Sequence, residues 1–280
     1  MSQTVGGLIL AATKALQRVG VASAGRDARA LVAMSTSRRT DRLSLELNEN
    51  VSDAEELILG NVLKDRLQRK PLSQIIGKRQ FFEHEFQVTS DTLDPRPETE
   101  CLVLAALAGP VKRMLDLGTG TGAVAISILA ARPAASGMAT DISIEALRVA
   151  AGNAEQTGTA NRLDLIVSDW FEKVQGKFDL IVSNPPYISK EEMNTLAPEL
   201  SFEPRLALTD EGDGLSAYRK ILDNAVNYLT PGGRLLVEIG WQQGDLVSQL
   251  FKEAGLEKIE IQLDLDGRDR VVLGQSSNTY

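Results

Sequence analysis

The chain has 280 residues, 43% of them hydrophobic and 24% charged, with 38 acidic against 30 basic side chains, one histidine and one cysteine. That length is large for one domain and comfortable for two. One Cys and one His exclude a disulfide framework and a His/Cys zinc centre, and no metal site is expected. No run approaches the roughly 18 apolar residues of a membrane span and no basic-then-apolar leader opens the chain, so a cytoplasmic enzyme is expected, with no membrane partner. The net charge of −8 argues against a nucleic-acid substrate, because enzymes of nucleic acid present basic faces to phosphate.

Residues 1–72 contain no strand-like run, and apolar side chains recur at spacings of three and four, as in Leu8, Ala12, Ala15, Leu16 and Val19. The pattern predicts a small helical domain with helices over 4–19, 25–36 and 52–68 and a short turn over 42–47. Ser52 and Glu55 have the spacing of a capping box. A basic cluster, Lys64, Arg66, Arg69, Lys70, Lys78 and Arg79, reads as a solvated helix face followed by a polar connector. Pro71 and Gly77 mark the exit from the domain. Residues 77–88 alternate as a hairpin, within a linker over 73–90, and His84 in it reads as a solvated strand residue rather than a base. Arg96–Glu100 begins the helix that covers the following sheet, and Cys101 reads as a small buried apolar residue.

Over 91–280 strands alternate with helices, with strands expected at 113–117, 136–140, 163–168, 178–183, 233–239, 258–263 and 270–274. Such alternation builds an α/β doubly wound, mainly parallel sheet. Pro231-Gly232-Gly233 reads as the turn before the fifth strand. Residues 264–268 are too short for a crossover helix, so the last two strands form an antiparallel hairpin, stabilised by Arg268 and Arg270. The tail 275–280 reads as disordered.

The chemistry is carried by the strand ends. After the run Met114–Leu117 come Gly118, Thr119, Gly120, Thr121 and Gly122, then an apolar helix from Ala123. Alternate glycines let the backbone approach a ligand and set helix N–H groups against it. Gly118, Gly120 and Ala123 formally fit a dinucleotide fingerprint, which would make the chain an NAD-dependent oxidoreductase. Asp116 argues against that: a carboxylate sits badly beside a pyrophosphate and well beside the ammonium of a methionine moiety. The loop therefore reads as an S-adenosylmethionine (SAM) site. Asp141, at the end of the second strand, suits the two ribose hydroxyls, although Asp at such a place also caps helices and Ser143 is the rival cap. Asp169 and Trp170, at the end of the third, suit the adenine amino group and ring, although a Trp there is otherwise core.

Asn184-Pro185-Pro186-Tyr187 follows the run Phe178–Ser183. Proline lacks an N–H and biases the residue before it toward extended backbone, so the segment forms a rigid corner at a strand end. There the Asn184 side-chain oxygen and the Pro185 carbonyl can accept the two hydrogens of one NH2 group, and Tyr187 can offer a stacking face. Such a corner suits methylation of a planar nitrogen, whether an amide or an adenine amino group on DNA or RNA.

Together with Phe202-Glu203-Pro204, Glu238 to Gly244, Pro71 to Gly77, Phe81-Phe82 and Arg96 to Glu100, these motifs resemble the PrmC/HemK family of peptide chain release factor glutamine-N5 methyltransferases. The resemblance covers nearly the whole chain. It implies a Rossmann-like class I methyltransferase sheet of seven strands, joined through the hairpin to the helical domain. It also implies methyl transfer from SAM to the glutamine of the Gly-Gly-Gln loop of class 1 release factors. The helical domain, superfluous for a small-molecule substrate, reads as a platform that recognises a protein partner, with a solubilising or folding appendage as the rival reading, and a monomer is expected. One departure is Asp94, where an apolar residue is expected before Pro95-Arg96-Pro97. Glu238 to Gly244 reads otherwise as the turn after a core strand.

Overall fold

A computed structural model describes residues 3–277, and the chain forms two compact units. The first comprises the chain up to Gly77 together with Ala197–Phe202; the second comprises Lys78–Leu196 and the chain from Glu203 onward.

The first unit is helical: α1 (Val5–Arg18), α2 (Ala24–Ser35), α3 (Asp53–Leu67) and α4 (Leu72–Ile76), with a 3-10 turn at Leu43–Leu45. The capping box forms at the head of α3, where Ser52 N donates to Glu55 Oε2 at 2.8 Å and Glu55 N donates to Ser52 Oγ at 3.4 Å. Val5, Leu8, Leu16, Leu31, Val32 and Leu43 are buried in one apolar core. Pro71 and Gly77 bracket a further helix, α4, that the sequence reading does not anticipate. Pro71 starts it with a φ of −53°, and Gly77 ends it in the left-handed region at +80°.

The basic cluster is only in part a solvated face: Lys64 and Lys78 are exposed, but Arg66 is not. Arg66 is 5% exposed. Its guanidinium meets Asp27 at 2.9 Å and Glu199 at 3.1 Å, and Arg69 meets Glu199 at 2.8 Å. Lys70 pairs with Asp65 at 3.2 Å. A guanidinium enters a protein interior when carboxylates accompany it, and two are present here. Gln74 Nε2 donates to Phe202 O at 3.0 Å, so Ala197–Phe202 is held within this unit at Glu199 and at Phe202.

The second unit opens with an antiparallel hairpin, β1 (Lys78–Phe81) and β2 (His84–Gln87), then α5 (Glu100–Leu107). There follow β3 (Arg113–Leu117), α6 (Ala123–Ala131), β4 (Ser136–Asp141), α7 (Ile144–Thr157), β5 (Leu163–Val167) and β6 (Phe178–Ser183). The chain continues through α8 (Arg205–Leu208), α9 (Ser216–Tyr228), β7 (Leu229–Glu238), α10 (Gly244–Glu253), β8 (Glu257–Leu263) and β9 (Asp269–Gln275). The sheet has seven strands in the order β5-β4-β3-β6-β7-β9-β8, parallel from β5 to β7 and antiparallel at β9 and β8.

Side chains alternate between the two faces with period two. Met114, Leu180, Val182 and Leu236 join one core, with Leu102 and Val103 of α5 and Ile126 and Leu129 of α6. Leu115, Leu117, Ile181, Leu235 and Val237 join the other, with Tyr218 and Ile221 of α9 and Val247 and Phe251 of α10. Both faces are covered, which is why the strands read as continuous apolar runs. Among the described residues no helix is long and apolar enough to cross a membrane.

Three local features differ from, or refine, the sequence reading. Pro231-Gly232-Gly233 lies inside β7 as a bulge: pairing with β6 jumps from Phe178 opposite Leu229 to Leu180 opposite Arg234. The tail is ordered as far as Ser277: Gln275 ends β9, and Ser276 donates from N to Gly233 O at 2.9 Å and from Oγ to Thr230 O at 2.7 Å. Residues 278–280 lie outside the described residues. In the last hairpin Arg270 does the bracing, with Asp264 at 3.1 Å and Ile239 O at 3.1 Å, whereas Arg268 lies over the Trp241 ring.

Candidate active site

The strand order reverses at β3, which has β4 on one side and β6 on the other, and ligands of such sheets lie beyond the C-terminal strand ends at that point. A cavity of 690 Å³ is found there. Asp116, Gly118, Thr119, Gly120, Thr121, Asp141, Asp169, Trp170, Asn184 and Pro186 all line it, although they come from four different strand ends. Gly122, Pro185 and Tyr187 are not in its lining.

The glycine loop is shaped by backbone conformation. Gly118, Gly120 and Gly122 have φ of +71°, +55° and +78°, a region that side chains with a Cβ avoid. A Cβ on Gly122 would stand 2.8 Å from Ile126 Cδ1, so this glycine serves close packing against α6. Gly118 N and Thr119 N both donate to Thr140 O at 2.9 Å, tying the loop to β4.

Asp116 is 1% exposed and accepts from Thr119 Oγ1 at 2.7 Å. Burial pushes its carboxyl up to about 7, opposed by the Thr119 hydroxyl and the Ala125 N–H. Asp141 accepts from Gly120 N at 2.9 Å and from Ser143 N at 2.9 Å, and burial raises its pKa too. The cap of α7 is Ser143, whose Oγ accepts from Ala146 N at 3.1 Å, so Asp141 is left facing the cavity. The donor set fits SAM: a buried carboxyl destabilised as an anion until a cation adjoins it, a second carboxylate one loop away, and Asp169 with Trp170 beyond.

The Asn184 to Tyr187 corner is held from behind. Ser183 Oγ donates to Leu117 O at 2.7 Å, and Asn184 Nδ2 donates to Thr99 Oγ1 at 3.2 Å. The Tyr187 ring packs against the core shared by α9 and α10, and its hydroxyl donates to Glu238 Oε1 at 3.4 Å. Burial raises the Tyr187 phenol well above its ordinary pKa, so it stays protonated. Gln243 uses its whole carboxamide. Nε2 donates to Tyr187 O at 3.1 Å and Gly214 O at 3.3 Å, while Oε1 accepts from Gly240 N at 2.9 Å and Tyr218 OH at 3.3 Å. Gly214 has φ +75°, and a Cβ there would stand 2.4 Å from Tyr187 O. Glu238 to Gly244 is thus more than a turn. It staples the corner to the end of β7.

Asp94 accommodates its charge rather than disturbing the packing. It is 4% exposed, with Arg96 at 3.6 Å and Arg79 at 3.9 Å, and its N donates to Glu203 Oε2 at 3.3 Å. Arg96 also meets Glu203 Oε1 at 2.5 Å, and burial raises the Glu203 pKa against that attraction. Cys101 is half-buried against the α5 core, and burial with nearby Asp264 and Glu238 raises its pKa, which makes it a poor thiolate. Thr99, Glu238 and Gln243 are the supporting residues that motif reading alone does not single out. Their signal was membership of the two family-like segments, Arg96 to Glu100 and Glu238 to Gly244.

Residues 8–77 match the PrmC N-terminal domain family and residues 90–215 the methyltransferase small domain family. The release factor glutamine methyltransferase of Cereibacter sphaeroides is 51% identical over 263 residues, covering 94% of this chain and 95% of that one. The release factor glutamine methyltransferase of Agrobacterium fabrum is 39% identical over 278 residues, covering 96% of each. A methyltransferase from Pyrococcus furiosus, 16% identical, shares the fold with a TM-score of 0.55 over 78% of this chain and 99% of its own. The chain belongs to the release factor glutamine methyltransferase family.

Proposed function

We propose that this protein transfers a methyl group from SAM to the side-chain amide nitrogen of the glutamine in the Gly-Gly-Gln loop of class 1 release factors. The observation that carries the reading is the Asn184 carboxamide: its Nδ2 is committed to Thr99, which leaves Oδ1 as the acceptor at the cavity edge. SAM, bound between Asp116, Asp141 and Trp170, supplies a methyl on a positively charged sulfur that departs with the bonding electrons. The acceptor amide is a weak nucleophile because its lone pair is delocalised into its own carbonyl. Asn184 Oδ1 and Pro185 O take its two N–H bonds, turn the lone pair toward the methyl, and offset the positive charge that grows on nitrogen. The methylated nitrogen is acidic enough to lose its proton to water, so no base is required of the protein.

Asp116 takes the ammonium of the methionine moiety and Asp141 the ribose hydroxyls. The helical unit recognises the release factor, and the protein acts as a cytoplasmic monomer. Support for a protein acceptor comes from the pairing of half of the basic cluster: Arg66, Arg69 and Lys70 are neutralised by Asp27, Glu199 and Asp65 and are not free for phosphate. Incubation with labelled SAM is expected to label a purified class 1 release factor and to leave its Gly-Gly-Gln glutamine→Ala variant unlabelled. Label on DNA or RNA instead overturns the reading.

The Asp116 carboxyl makes SAM affinity depend on pH. With its pKa near 7, protonation competes with the ammonium below that value. The association constant is expected to rise by up to about tenfold per unit from pH 5 to 7, with proton release on binding. Calorimetry in buffers of different ionisation enthalpy reads both. An affinity flat across that window removes Asp116 from the site.

A further inference from the structure

Asn184 carries two nearly isosteric ends on one side-chain amide, and only one of them can work. Turned by a half rotation, the carboxamide would present its NH2 to the NH2 of the acceptor, donor against donor. Something must therefore choose the rotation. Asn184 Nδ2 donates to Thr99 Oγ1 at 3.2 Å, but a hydroxyl receives a hydrogen bond in a fixed orientation only if its own proton is engaged elsewhere.

Glu238 supplies that elsewhere. It is 1% exposed at the end of β7, behind the cavity wall and outside its lining. Its Oε1 accepts from Tyr187 OH at 3.4 Å. Its Oε2 carries no completed hydrogen bond among the described residues, so its lone pairs are open to the Thr99 proton. Thr99 is near enough to be the largest of the influences that favour the charged carboxylate, ahead of Arg270 and Tyr187.

We propose that Glu238, acting through the Thr99 hydroxyl, is the positioning residue that holds the Asn184 carboxamide with Oδ1 toward the acceptor nitrogen. A carboxylate has no proton and can only accept, so every bond in the set runs one way. Asn184 donates to Thr99, Thr99 donates to Glu238, and Tyr187 donates to Glu238 at Oε1. Glu238 touches neither SAM nor the acceptor. Its role rests on the assignment of Asn184 as the acceptor of the substrate N–H, and it adds what sets that acceptor's direction.

The set has a built-in reversal. Burial pushes the Glu238 carboxyl up to about 7; Thr99, Arg270 and Tyr187 oppose the rise and Glu98 adds to it. Once protonated, Glu238 becomes a donor. Thr99 then accepts a hydrogen bond from the Glu238 carboxyl and turns its own proton toward Asn184, which favours the carboxamide oxygen turned toward Thr99. The maximal rate is therefore lost as pH falls through about 7, and this limb appears at saturating SAM, where the Asp116 contribution has been removed.

The test uses full-length protein in three parts. Thr99→Val keeps the shape and deletes the hydroxyl; it is expected to lower the single-turnover rate about tenfold, with the SAM dissociation constant within twofold of wild type. Thr99→Ser, which restores the hydroxyl, is expected to recover most of the rate. The Asn184 side-chain 15N–1H resonances, identified by their loss in Asn184→Ala, are expected to move in Thr99→Val and return in Thr99→Ser, with or without SAM. Glu238→Gln is expected to be slow and to have lost the acidic limb at saturating SAM. A wild-type rate in Thr99→Val, no rescue by Thr99→Ser, unmoved Asn184 resonances, or an acidic limb persisting in Glu238→Gln overturns the inference. If Asn184→Ala is slow while Thr99→Val is normal, only the positioning role fails. If Asn184→Ala itself turns over normally, the underlying reading fails first.

Discussion

Asn184→Ala is expected to lose roughly two to three powers of ten in methylation rate while SAM affinity stays within about twofold. The side chain stands at the cavity edge next to Pro186, whereas the residues proposed to meet SAM come from the ends of β3, β4 and β5. Removing it deletes the one side-chain acceptor at the corner and leaves the Pro185 carbonyl to orient the acceptor nitrogen alone. That is a loss of an oriented dipole at the reacting atom, and it grows as charge develops, so it falls on the chemical step. Single-turnover transfer of labelled methyl measures the rate, and calorimetric titration measures SAM. Wild-type turnover sinks the role. A large fall in SAM affinity moves Asn184 from the acceptor side of the reaction to the cofactor side.

The second large effect is on stability. Arg66→Ala is expected to destabilise the helical unit by about 3–5 kcal/mol, because it strands a buried carboxylate rather than merely deleting a contact. Asp27 is 2% exposed, and without Arg66 its remaining close partners are the Ser23 hydroxyl at 2.8 Å and the exposed Arg26 at 3.8 Å. Glu199 keeps Arg69 at 2.8 Å and is less affected. Asp27→Asn combined with Arg66→Met, which removes both charges, is expected to cost much less than Arg66→Ala. Both tryptophans, Trp170 and Trp241, lie in the catalytic unit, so unfolding is followed by far-ultraviolet circular dichroism and by hydrogen exchange of α2 and α3, not by fluorescence. A loss below about 1 kcal/mol contradicts the burial argument.

Much of the catalytic unit is legible in the sequence because its rules are local. Burial of both faces under helices makes Met114–Leu117 and Phe178–Ser183 apolar apart from Asp116, Asp179 and Ser183, and the glycines of the β3–α6 loop announce a backbone in the left-handed region. The capping box at Ser52 and Glu55 is likewise a three-residue affair. What the sequence hides depends on distant partners. Arg66 looks solvated because the carboxylate that helps bury it lies 133 residues away, and Thr99 looks like part of a helix start because Asn184 is 85 residues away. The bulge at Pro231-Gly232-Gly233 is hidden for a different reason. Proline and glycine mark a departure from regular pairing, but whether the strand resumes the same partner afterwards is decided by β6.

The helical unit is written in two places along the chain, and that limits how it can be exchanged. Ala197–Phe202 leaves the catalytic fold after Leu196 and returns at Glu203, the residue paired with Arg96 in the cavity wall. A recombinant that replaced only the chain up to Gly77 would import new partners for Glu199 and Phe202 while keeping those two residues themselves. Arg66, Arg69 and Glu199 therefore have to be exchanged as a matched set, and a crossover between their two coding segments breaks it even where each piece is sound by itself.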